Sequence, residues 1–338
     1  MHILILGGTR FIGMYTVHRL IEMGHQVAVF HRGQTETPLP PNVHHIHGSR
    51  QQLSDFDDDF RTFNPEVVLD MLAMTEQDGK TLVDIFRDMA RRVVAISSGD
   101  VYRAYDRFRC AAPGPPDPTP LTEDSPLRDR LYPYRDQASS PDDFFYNYDK
   151  ILMERVVLSA PNLPATILRL PMVYGPGDYQ HRLFEYLKRM DDQRPAILLS
   201  KDIATWRGMR GYVENMAEAI ALCVTNDLAA GRIYHVADQD NPTELEWIQR
   251  IAKAADWNGQ IVPLNDDQLP SHLKPAYNSS QDLSLDTSLI CEELGYAELI
   301  APDEAMRRTI AWERANPPEK YDTSQFDYAA EDKILATM

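Results

Sequence analysis

The sequence predicts an α/β protein: a doubly wound parallel sheet with a smaller C-terminal lobe. Three observations lead there. Short apolar, β-like runs alternate with helix-period segments through the first half of the chain, the first run is followed at once by a glycine-rich turn, and after Gly175-Pro176-Gly177 the pattern becomes mainly helical. Such alternation is what repeated strand-helix-strand units leave in a sequence, with helices covering both faces of the sheet.

The elements follow in order. Ile3-Leu4-Ile5-Leu6 is an unbroken apolar run, as expected of a strand buried on both faces. A helix is predicted over 11–23, then strands over 27–30, 67–71, 93–96 and 166–170. Residues 103–143 break the pattern, because "AAPGPPDPTPLTEDSP" holds too much proline for a helix or a central strand. This is read as a long loop near the strand ends, and a lid is the usual functional use of such a loop. "SPDDFFYNYDKILMERVV" opens with Ser140, Pro141 and two acids, which predicts a helix starting there. Farther on, "NPTELEWIQRIAKAADW" and "TSLICEELGY" are amphipathic helices, and the last twenty residues read as a peripheral tail. The expected division is a Rossmann-type domain over 1–174 plus about 205–236, and a substrate-binding lobe and tail over about 175–204 plus 237–338.

Composition narrows the function. A chain of 338 residues, 43% hydrophobic, can bury a large core. Its formal charge of −17 makes nucleic acid an unlikely partner, since that binding draws on clustered Lys and Arg. Cys110, Cys223 and Cys291 have neither disulfide-framework nor zinc-ligand spacing, so no metal site is expected. No apolar run approaches ~18 residues, and the first strand leaves no room for a leader. A soluble, cytoplasmic protein that binds a small molecule is expected.

The turn Gly7-Gly8-Thr9-Arg10-Phe11-Ile12-Gly13 lies between strand and helix, where backbone N–H groups and the helix dipole can face a pyrophosphate. An NAD site would normally place an acid at the end of the second strand. Here that strand ends Phe30-His31-Arg32-Gly33. Arg32, with Arg10 in the first turn, suits a 2′-phosphate and favours NADP over NAD; the alternatives are a surface arginine and a solvated loop residue. On the predicted helix Tyr146 and Lys150 are four apart and share a face, so the ammonium could lower the phenol pKa and make it an acid/base. Ser97 and Ser98 end the strand in "RRVVAISSGDVY", where a hydroxyl can bind a reacting oxygen.

Together "GGTRFIG", "AISSGDVY", "YNYDKILME", "ILRLPMVYGPGD" and "YVENMAEAI" resemble the extended short-chain dehydrogenase/reductases, the NAD(P)-dependent epimerase/dehydratase family, over nearly the whole chain. The resemblance implies a catalytic set of Ser98, Tyr146 and Lys150, with hydride transfer at a hydroxyl or carbonyl of a small polar, sugar-derived substrate. It places Leu72, Ala73 and Met74 beside the cofactor and implies a homodimer. Candidate substrate contacts are Asp100, Met172, Arg207 and Arg210.

There are departures. Gly99 and Asp100 stand where the dehydratases carry an Asp-Glu pair, so the eliminating acid is missing. Met172 replaces the Asn that touches a sugar diphosphate, and Gly208 stands at the uridine-side arginine. The 48-residue interval from Ser98 to Tyr146 holds Arg103, Arg107, Arg109, Arg128, Arg130 and Arg135. These read either as a lid's anion ligands or as part of a solvated or oligomer-contacting loop. The turn also resembles the chloroplast stem-loop RNA-binding relatives of the family, which leaves an RNA-binding or NADP-sensing protein as the alternative.

Overall fold

The computed structural model describes residues 1–34 and 38–338. The chain begins with β1 (His2–Leu6), α1 (Phe11–Glu22), β2 (Gln26–His31) and β3 (His44–His47). It continues with α2 (Asp57–Phe63), β4 (Val67–Asp70), α3 (Glu76–Phe86), β5 (Arg92–Ser98) and the short α4 (Arg103–Phe108). After a long excursion come α5 (Lys150–Leu158), β6 (Ala165–Leu170), β7 (Met172–Tyr174), α6 (Phe184–Asp191), β8 (Ala196–Ser200) and α7 (Lys201–Thr205). The last part holds β9 (Arg210–Tyr212), α8 (Val213–Thr225), β10 (Ile233–His235), α9 (Glu244–Ala254) and β11 (Gln260–Leu264). It closes with α10 (Ser288–Leu294), α11 (Pro302–Ala315) and α12 (Tyr328–Leu335).

Seven strands form one parallel sheet in the order β3-β2-β1-β4-β5-β6-β10. Period-two alternation splits their side chains between two cores. Ile3, Ile5, Val27, Val29, Val94 and Leu168 pack towards α1 and α8, whereas Leu4, Leu6, Phe30, Val68, Val93 and Ile167 pack with Phe60, Leu82, Phe86 and Met153 from α2, α3 and α5. The first core runs on without a break into Trp247, Ile248, Ile251, Ile290, Met306 and Ile310, so the C-terminal helices are fused to the sheet domain rather than tethered to it. Two-stranded ladders β7/β9 and β8/β11 belong to the same body.

Three expectations change. The edge strand β3 was not foreseen. The helix expected from Ser140 starts at Lys150, because Asp149 caps it by accepting from Ile151 N at 2.9 Å and Leu152 N at 3.4 Å. Asp149 itself is buried and held by Arg128 at 3.3 Å and by the Tyr132 N–H at 2.6 Å, which fixes the helix start from a distant part of the chain. The supposed peripheral tail is docked: α12 inserts Glu331, 0% exposed, against Arg189 at 2.9 Å. Among the described residues no helix is long and apolar enough to cross a membrane.

Candidate active site

The carboxyl ends of β1, β4 and β5 converge, which is where an open parallel sheet receives its ligand. At the first of these, Gly7 and Gly8 hold φ of +99° and +93°, and a Cβ on Gly13 would lie 2.5 Å from Gly8 Cα. Only a residue without a side chain lets α1 approach the turn so closely. Helix α1 begins with Arg10 at its N-cap, makes no side-chain cap hydrogen bond and has no acid in its first turn. Its leading N–H groups and dipole therefore meet no competing anion of the helix, and the cradle fits a pyrophosphate. Phe11 takes φ +41°, a conformation that costs a bulky residue about 1–3 kcal/mol. Its ring meets Tyr179 edge-on at 6.5 Å and packs beside Gly177, so this strained lip lies against the segment that follows β7.

Leu72, Ala73 and Met74 follow β4. Asp70, fully buried, accepts from Leu72 N at 2.8 Å and Ala73 N at 3.0 Å and holds Arg50 with two bonds of 2.8 and 2.7 Å. That turn is thereby fixed, and the Leu72 side chain lies over Gly7. Arg10 and Arg32 are both exposed, and Ile12 is half-buried.

Lys150 is 3% exposed and donates to Ala73 O at 2.6 Å and Ile96 O at 2.8 Å, which places its ammonium between the ends of β4 and β5. Burial pushes its pKa down from 10.5 to about 8, although the Asp100 and Asp70 carboxylates act to raise it. At neutral pH the group is still mostly charged. Ser98, at the end of β5, accepts from the Asp100 N–H at 3.2 Å and keeps its hydroxyl proton to donate. Ser97 instead turns inward to bond Glu154, at 2.5 Å, in a buried network with Arg169, Tyr102 and His235.

Tyr146 departs from the expected geometry. It lies in a turn before α5 and does not share a helix face with Lys150. Arg135 lies 4.7 Å over its ring and donates to its carbonyl oxygen at 2.9 Å. Its hydroxyl has no hydrogen-bond partner among the described residues, while Lys150 Nζ bonds Ala73 O and Ile96 O. Two other phenols occupy the site. Tyr134 and Tyr148 each donate to Asp100 Oδ2 at 2.9 Å, while Asp100 Oδ1 is buried without a hydrogen-bond partner among the described residues. Burial first, then the Asp100 carboxylate, pushes both phenols above their usual range. "YNYDK" contains both Tyr146 and Tyr148, but only Tyr146 satisfies the four-residue spacing, so the helix assumption hid the second.

The loop arginines are engaged within the protein. Arg103 and Arg107 pair with Asp117 at 2.6 and 3.2 Å, Arg128 with Asp149, and Arg130 with Asp136 at 3.2 Å. Arg109 lies 4.9 Å over the Tyr134 ring. Of the other candidate contacts, Arg210 pairs with Glu244 and stacks over Trp247 at 4.8 Å, and Arg207 bonds Asn241 O, so both are tied to α9 and its approach. Met172 packs on the apolar cluster around Trp206. A Cβ on Gly208 would lie 2.6 Å from the Trp206 ring, so that position has no room for a side chain unless the ring moves.

Known proteins resemble this chain in sequence and in fold. The chain is 25% identical to the uncharacterized protein y4nL of Sinorhizobium fredii over 195 residues, 49% of this chain and 53% of that protein. The chain thus spans about half the length of that relative. It is 22% identical over 290 residues to the chloroplast stem-loop binding protein of 41 kDa b of Arabidopsis thaliana, covering 81% of this chain and 69% of that protein. In fold it is similar to Thermus thermophilus UDP-glucose 4-epimerase in complex with NAD, with a TM-score of 0.66, 20% identity, and 94% and 100% of the two chains covered. Residues 3–237 match the NAD dependent epimerase/dehydratase family. With that match across most of its length and the glycine cradle at its start, the chain belongs to the NAD dependent epimerase/dehydratase family.

Proposed function

We propose that this protein is a nicotinamide-dinucleotide-dependent oxidoreductase or epimerase acting at a hydroxyl or carbonyl of a small polar, sugar-derived molecule. The observation that carries this reading is the buried Lys150 ammonium, set between Ala73 O and Ile96 O beside the glycine cradle and Ser98. When bound, the dinucleotide supplies or accepts the hydride. The remaining chemistry falls to this chain. The turn 7–13 binds the pyrophosphate, Ser98 Oγ donates to the reacting oxygen, and Lys150 stabilises negative charge developing next to it.

Tyr146 is the proposed proton carrier. Extending α5 by about one turn, some 3.6 residues, would bring it over Lys150; this requires Arg135 to release it. A second reading is favoured by the contact of Tyr148 with Asp100, which would make Tyr148 the phenol that moves the proton. Turnover of UDP-sugars and free sugars with NAD and NADP, in Tyr146→Phe and Tyr148→Phe, separates the two. A loss of about 10²-fold or more is expected in Tyr146→Phe, and the same loss confined to Tyr148→Phe would replace the first reading by the second.

For the cofactor, Arg10 and Arg32 support NADP, while the similarity to an NAD-bound epimerase supports NAD. The similarity to a stem-loop binding protein favours an RNA-binding role, but the charge of −17 opposes it. Salt-sensitive RNA binding unaffected by Tyr146→Phe, in a protein that turns over no cofactor, would overturn the enzymatic proposal.

A further inference from the structure

Three imidazoles meet at the outer edge of the sheet, on residues the hydride-transfer reading does not use. His45 and His47 are two apart on the edge strand β3 and so stand on one side of it. The parallel register sets His31 of β2 beside His47 and Val29 beside His45. His31 thus projects between the other two, with ring centroids 5.1 Å from His45 and 4.7 Å from His47. One ligand atom from each ring lies within 4.8 Å of the others.

The hydrogen bonds fix where the protons are. The Gly33 N–H donates to His31 Nδ1 at 3.3 Å, so the His31 ring carries its proton on Nε2. From there it is donated to His45 Nδ1 at 2.8 Å. In this arrangement a proton occupies the point on which the lone pairs of His31 and His45 could converge. Imidazole ligands, with no carboxylate among the described residues of the cluster, select borderline divalent transition ions over Mg²⁺ or Ca²⁺.

We propose that His31, His45 and His47 form a three-histidine site for a divalent transition-metal ion of the zinc class, with a fourth position open to water. Bonds of about 2.0–2.1 Å to a tetrahedral zinc set nitrogen pairs roughly 3.3 Å apart. The His31–His45 pair must open by about half an ångström and His47 must swing in, through side-chain rotation at a half-buried and two exposed rings. On binding, His31 moves its proton from Nε2 to Nδ1 and gives up the Gly33 bond, while His45 binds through Nδ1 and keeps its proton on Nε2.

The test uses tag-free full-length protein, stripped with a chelator and titrated with ZnCl₂. About one zinc per chain is expected, with affinity falling by roughly 100-fold or more in His45→Gln and in His47→Gln. His44→Gln is the control, because its ring turns away from the three and stacks on Phe63 at 6.1 Å; its affinity should equal that of the wild type. Co²⁺ in place of zinc should give the intense visible absorption of a tetrahedral site, a readout that needs no variant to fold. Zinc below about half an equivalent, equal binding in the wild type and His47→Gln, or an equal loss in His44→Gln would each overturn the proposal.

Discussion

The turn between β1 and α1 and the segment leading into α5 both supply site residues, but they are held in different ways. The first is fixed chiefly by backbone sterics at close range: Gly13 lies against Gly8, and the helix starts where the turn ends. The second is fixed from afar. Asp149 stops the helix one turn short of Tyr146 because Arg128 and the Tyr132 N–H hold it, and Arg135 keeps Tyr146 against its own guanidinium. The glycine turn is therefore set mainly by its own backbone. The segment before α5 is set by packing, and packing can be rearranged by a ligand.

The largest effect is expected at Lys150, where the two regions meet. Lys150→Met should retain the fold, since it replaces a buried charge with an apolar side chain of similar length, yet lose about 10³-fold in turnover. Steady-state kinetics beside a thermal melt would check both. Next, Gly13→Val should drive a side chain into the Gly8 backbone, cost about 3 kcal/mol of stability and abolish dinucleotide binding, as read by denaturant unfolding and cofactor titration. A mild effect would show that the turn can admit a side chain at this close approach.

A pH titration of stability tests the state of Lys150. Its pKa falls from 10.5 to about 8 in the folded protein, so between these values the unfolded chain binds more protons and stability should rise with pH. The rise should be visible from about pH 8 to the onset of tyrosine ionisation near 10. Comparing the wild type with Lys150→Met isolates it, and an identical pH profile in both would contradict the assignment. Arg10→Ala should weaken NADP about tenfold and leave NAD nearly unchanged. The smallest change is expected in Arg135→Ala, which removes a cation–π contact of about 0.5–1 kcal/mol together with the hydrogen bond to Tyr146 O. If Arg135 restrains Tyr146, that variant should raise turnover slightly or lower KM; a large loss would mean that Arg135 itself touches the substrate.

Much of the sheet was legible because its information is local. Buried parallel strands need unbroken apolar runs, and those at Ile3, Val27, Val67, Val93 and Thr166 all lie in the observed strands. β3 escaped notice because His44-His45-Ile46-His47 contains one apolar residue and pairs only at the sheet edge. The cradle was legible too, since glycine at a strand-to-helix turn has a steric meaning that needs no partner. The loop arginines were not. Their charge was visible, but Asp117, Asp149 and Asp136 as partners were not, because pairing across the fold leaves no periodicity in the sequence.

The sequence by itself determined the alternating architecture, the glycine turn and the presence of Ser98, Tyr146 and Lys150. These rest on side-chain period, backbone sterics and residue identity, all properties of a chain read in order. Only the tertiary structure decided that Lys150 is buried between Ala73 O and Ile96 O, that Tyr148 rather than Tyr146 bonds Asp100, that Glu331 docks the C-terminal helix on Arg189, and that His31 meets His45 and His47. Each joins residues whose separation along the chain carries no signal, so the contact exists only once strand register and helix packing have brought them within a few ångströms.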